Sequence, residues 1–104
     1  MGIAALRDTL LNTFLADVPP RLERLAAAMI EHEAQRIEYE AHGLMGMCAT
    51  VGAVSCERVF AQIQRLAAED RVSECTRLLD TAKAEVERTE AYISRLEQIL
   101  SRAA

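Results

Sequence analysis

From Val72 to Leu100 the side chains at steps of three and four are Val72, Cys75, Leu79, Ala82, Val86, Thr89, Ile93, Leu96 and Leu100. Such a step is one turn of an α-helix, so the spacing lays one nearly unbroken apolar seam along a helix from about Arg71 to Ser101. The same period governs the rest of the chain. Ile3, Leu6, Leu10 and Phe14 define a first helix that should end near Asp17. Pro19-Pro20 is not expected inside a helix but suits a helical start, and Leu22, Leu25 and Met29 line a short second helix fading around His32. Ile37, Ala41, Leu44, Cys48 and Val51 form the stripe of a third helix, with Gly52 where a C-terminal cap belongs. Val59, Ile63 and Leu66, widened by Phe60 and Ala67, mark a fourth that fades at Glu69-Asp70.

Composition agrees: 51% of the residues are hydrophobic and 4% aromatic, with four Gly and two Pro, so helix formers are abundant and turn formers scarce. The fold class is all-α. Short connections force neighbouring helices to run antiparallel, which predicts an up-and-down four-helix bundle from the second to fifth helices, with the short N-terminal helix packed as a lid. A chain of 104 residues is one domain, 1–104, able to bury a core without metal or disulfide. The last helix would span about 45 Å, longer than the second can cover. Its end therefore packs on the first helix or on a second subunit, and a monomer is the expectation over a homodimer.

The net charge of -4 is dispersed, which disfavours nucleic acid and favours protein partners. The stretch Ala41 to Cys56, free of Asp, Glu, Lys and Arg, is too short and Gly-rich to span a bilayer. Arg7 and Asp8 stand where a signal peptide needs an apolar core, so a cytoplasmic protein is expected. Cys48, Cys56 and Cys75 form no CxxC pair, and buried reduced thiols are the expectation.

Two histidines are present. His32 falls at the end of the second helix, where an exposed imidazole faces the negative end of the dipole. His42 follows core-facing Ala41, about 100° around the helix, and so stands beside the apolar stripe, reachable from solvent. Glu38, Met45, Gly46 and Ala49 share its flank, and Gly43 follows it directly. A glycine inside a helix costs up to about 1 kcal/mol relative to alanine. Two of them around one histidine imply either clearance for an approaching protein, or close helix packing or a loop break. If the third and fourth helices meet at Gly52-Ala53, residues whose numbers sum to about 106 lie level, which sets Gln64 opposite His42. Gln64 is then either a solvated amide or the acceptor of the Nδ1 proton, leaving Nε2 as the outward nucleophile.

Two other chemistries fail on spacing. A metal-carboxylate bundle needs Glu three residues before His, but Met29 and Tyr39 hold those positions. Cys48 lies on the core stripe and His42 does not, which separates any Cys-His nucleophile pair.

The run Ala41-His42-Gly43-Leu44-Met45-Gly46-Met47-Cys48-Ala49-Thr50-Val51-Gly52-Ala53 resembles the signature of histidine-containing phosphotransfer (HPt) domains, roughly His-x-Leu-Lys-Gly followed by Gly-Ala. The resemblance extends upstream through Leu11-Asn12-Thr13-Phe14-Leu15 and downstream from Cys56 to Asp70. It implies a four-helix bundle whose exposed histidine relays a phosphoryl group between aspartates of receiver domains. By that resemblance His42 is the phosphoacceptor, Gly46 gives access to it and Gln64 orients its ring. The partner is the receiver domain of a response regulator or hybrid histidine kinase. No cofactor is expected on this chain, Mg²⁺ being supplied by the receiver.

Met45 departs from the family pattern, a thioether standing where the lysine would be. A phosphoryl group brings close to two negative charges, yet an exposed charge pair is worth only about 0.2–1 kcal/mol, so a relay survives the loss. Glu38 adds repulsion, and no basic residue is an obvious substitute, Arg36 and Arg65 being the only long side chains within plausible reach. No phosphate-binding glycine loop occurs, so autonomous kinase activity is not expected. The alternative function is an HPt-like adaptor or inhibitor that docks on a receiver or kinase domain without phosphotransfer.

Overall fold

The computed structural model describes residues 2–103, with the side chains of Ile3, Ala4, Leu6 and Arg7 outside that description. The expected contributions of Ile3 and Leu6 to the first stripe therefore lie outside the described residues. Five helices follow in order: α1 (Ile3–Ile30), α2 (Ala34–Thr50), α3 (Val54–Ala68), α4 (Val72–Arg77) and α5 (Leu79–Ala103). α2 packs against both α1 and α3, and α5 packs against α3 and α1, which closes a ring of four neighbours. The fold is an all-α helical bundle, 49 × 24 × 20 Å.

The first two expected helices are one. α1 runs without interruption through Pro19 and Pro20, so no separate N-terminal lid exists and the expected end near Asp17 is not there. The physical reason is the phase of the stripe. Leu11, Phe14, Val18, Leu25, Ala28 and Met29 are all buried on one face, with no angular offset across the prolines. Proline in a helix interior costs about 3 kcal/mol through its missing N–H and a clash one turn back. A continuous buried face on both sides of the pair outweighs that.

The last helix departs from expectation in the other direction. Leu78 separates α4 from α5, its N–H donating to the carbonyl of Cys75 at 3.0 Å, a local tightening by one residue. The tightening lets the adjacent Leu78 and Leu79 both pack against the core.

Three helix ends use one device. His32, Gly52 and Asp70 adopt left-handed φ values of 53°, 74° and 60°. The N–H of the next residue then reaches back: Glu33 to Ala28 at 3.0 Å, Ala53 to Cys48 at 2.9 Å and Arg71 to Leu66 at 2.9 Å. Gly52 thus caps α2 as expected, and His32 ends α1 as an exposed residue. These connections fold α2 and α3 into an antiparallel hairpin, which sets the register of the site. Cys48, Cys56 and Cys75 are buried and unbridged, as expected.

Candidate functional site

The site is built on the outward face of α2. Ala41, Leu44 and Cys48 are fully buried, which fixes the rotation of the helix and leaves His42 exposed beside them. Ala49 and Gly46 are exposed on the same flank, while Glu38 and Met45 are half-buried toward α3. Met45 packs against the core, so much of its thioether is unavailable as a contact surface.

The hairpin register brings Gln64 of α3 to His42, as the numbering predicts: Gln64 Nε2 lies 3.1 Å from His42 Nδ1. Gln64 is half-buried, which excludes the freely solvated amide. With its NH₂ toward the ring, the amide donates to Nδ1 and selects the tautomer protonated at Nε2. Turned by half a rotation, its carbonyl oxygen accepts the Nδ1 proton, and the Nε2 lone pair faces outward. One residue therefore has a hydrogen bond to offer in either state of the ring.

The two glycines, left open by sequence, have different explanations. At Gly46 an added Cβ would meet nothing within 4 Å. No packing accounts for it, and what remains is clear space outside the helix one turn from His42. At Gly43 an added Cβ would lie 2.7 Å from Arg21 Cζ and closer still to Nη1. There the close-packing account holds, and the packed group is a guanidinium from α1.

That guanidinium belongs to a cluster absent from the sequence expectations. Glu40 is only 5% exposed, with Oε1 3.2 Å from Arg21 Nη1 and Oε2 3.2 Å from Arg24 Nε. Arg21 Cζ also lies 5.8 Å from the centre of the exposed Tyr39 ring. One signal was available: Glu40, three residues after Ile37 and four before Leu44, falls within the arc of the apolar stripe, where a carboxylate requires a partner. Nothing in the sequence said that the partner would come from α1. Of the two long cations within plausible reach by sequence, Arg36 is turned to Glu31 and Glu33, at 3.2 and 3.6 Å, and Arg65 is exposed next to Gln64.

Among the described residues no group of three or more His, Cys, Asp or Glu side chains is placed to hold a metal ion. A cleft of about 500 Å³ opens between the α2–α3 turn, α1 and α5, lined by Leu10, Val51, Val54 and Tyr92 among others, but His42 is not part of it. His42 is exposed on the outer face of α2 and outside that cleft, which suits contact with a macromolecule and not enclosure of a small one. No described helix is long and apolar enough to cross a membrane.

No curated protein and no solved structure matches this chain. The family model of the Hpt domain matches residues 9–103, a span that contains His42, Gly43, Gly46, Gln64 and the segment of α1 whose Arg21 lies on Gly43. With nearly its whole length matched on a helical bundle that presents the exposed His42 on α2, the chain belongs to the Hpt domain family.

Proposed function

We propose that this protein relays a phosphoryl group through His42, taking it from or giving it to an aspartate of a receiver domain. Membership of the family carries the general role, histidine phosphotransfer in a phosphorelay. The observation that supports His42 as the carrier is its exposed ring, hydrogen-bonded at Nδ1 to Gln64 and next to a glycine with no packing role.

In the forward direction the Nε2 lone pair attacks phosphorus in line, the bond from phosphorus to the aspartyl oxygen breaks, and the carboxylate leaves. The Gln64 carbonyl accepts the Nδ1–H throughout, so the ring keeps its orientation. When Nδ1 later loses its proton, the amide turns and donates to it. This chain supplies a positioned nucleophile, and the receiver supplies Mg²⁺ and most of the charge stabilisation. The docking surface is the flank of Gly46 and Ala49, with the uncovered edge of Met45. The proposed setting is cytoplasmic, and residues 1–104 act as one domain that works as a monomer.

Incubation with a phosphorylated receiver tests the reading. Acid-labile label is expected on the wild type and not on His42→Ala. The second reading, a docking adaptor, is favoured by Met45, which offers no charge to a phosphate. It predicts receiver binding without label, unchanged by His42→Ala.

A further inference from the structure

A phosphorylated His42 would carry close to two added negative charges beside half-buried Glu38, and Met45 on the same flank offers nothing to offset them. We infer that Arg21 of α1 is the cation of this site: its guanidinium, laid across Gly43 and anchored by Glu40, offsets the charge that phosphorylation brings to His42. The inference rests on the phosphohistidine reading above and adds a residue to it.

Four observations converge on Arg21. Its guanidinium occupies the space of the missing Cβ at the residue next to His42, so it lies against the backbone of the site helix. It is confined between Glu40 and the face of Tyr39. The cluster is unbalanced, with Arg21 and Arg24 sharing the single carboxylate of Glu40 and leaving one positive charge in excess. Arg21 Nε and Glu40 Oε1 are both buried without a hydrogen-bond partner, so Glu40 holds Arg21 as an ion pair and not through a fork of hydrogen bonds. Gly43 lies about 100° around α2 from His42. Arg21 thus stands on the α1 side of the imidazole and Gln64 on the α3 side, with side-chain-free Gly46 in the open face between them.

An interaction of this kind between partly solvated charges changes an equilibrium or rate by a factor of about 1.4–5. The test uses label transfer from a phosphorylated receiver and the lifetime of the label on His42, at low and high salt, with circular dichroism as the check on folding. Arg21→Met is expected to lower both by that factor at low salt, and Met45→Lys in the same chain to restore them. Glu40→Gln breaks the same ion pair but removes the anion, so it is expected to raise both or leave them unchanged. A purely structural pair would make the two substitutions act in the same direction and would not respond to a lysine at position 45. Gly43→Ala keeps every charge and displaces the guanidinium; it is expected to lower both readouts, and it serves where Arg21→Met does not fold. Wild-type transfer and lifetime in folded Arg21→Met or Gly43→Ala overturn the inference, as does an equal loss in Glu40→Gln. Absence of label on the wild type is a different result: it removes the phosphohistidine reading itself.

Discussion

Gly46 is the residue where fold and function pull apart most clearly. A methyl group there would touch nothing, so Gly46→Ala is expected to stabilise the domain by up to about 1 kcal/mol through helix propensity alone. The same methyl would project into the space beside His42, and transfer from a receiver is expected to fall. Thermal denaturation and label transfer on one protein sample separate the two effects, and a variant that is both more stable and fully active would remove the clearance role. At Gln64 the argument is a single hydrogen bond. A net value of about 1 kcal/mol for such a bond sets an expected loss of about fivefold in transfer for Gln64→Ala, with little change in thermal midpoint because the pair is exposed. His42 and Gln64 were legible in the sequence because both follow a core-facing residue and lie on adjacent helices joined by a short turn. Arg21 was not, because its position depends on how α1 crosses α2, and a stripe of apolar residues does not encode a crossing.

Among the elements, α1 gives the sharpest test of how tertiary packing overrides local chemistry. If Pro19 began a new helix, replacing the prolines would cost stability, since proline favours the first helical position. Within the continuous α1, Pro20→Ala restores an N–H inside the helix, and stability is expected to rise by as much as about 3 kcal/mol in urea denaturation. On α5, Glu90 sits beside Glu87 and is partly buried; burial, then the neighbouring carboxylate, raises its pKa above the ordinary 4.5. The folded state therefore holds this proton more tightly than the unfolded state, and stability falls as pH rises from about 4.5 through the raised native value. Glu90→Gln removes the penalty. The variant is expected to melt higher than wild type at pH 7, with the difference closing once both states are protonated at low pH.

For the whole molecule, one core joins all five helices. Phe60, Leu25, Met29, Ile37, Leu44, Ile63 and Ile93 are fully buried in a single cluster drawn from α1, α2, α3 and α5. Phe60→Ala is expected to cost about 3–5 kcal/mol, and unfolding of the wild type followed by helicity and by a probe on α5 should coincide. Separate transitions would show that the α2–α3 hairpin is stable without the long helices. The three thiols belong to this core. Burial pushes the Cys75 thiol up, and the neighbouring Cys56 thiol together with burial pushes Cys48 up.

Helical period alone determined that the chain is all-α, which face of each helix is buried, and that one histidine stands outside the core opposite a glutamine. Those features depend on residues a turn apart or on a connection of three residues, and short-range geometry is written directly in spacing. Tertiary structure decided what spacing leaves open. It kept α1 continuous through two prolines because its buried face keeps one phase. It capped α1 and α3 with a histidine and an aspartate in left-handed conformation, where no glycine marks the stop. It also laid a guanidinium across Gly43, because a buried carboxylate requires a cation and the neighbouring helix was the one that could supply it.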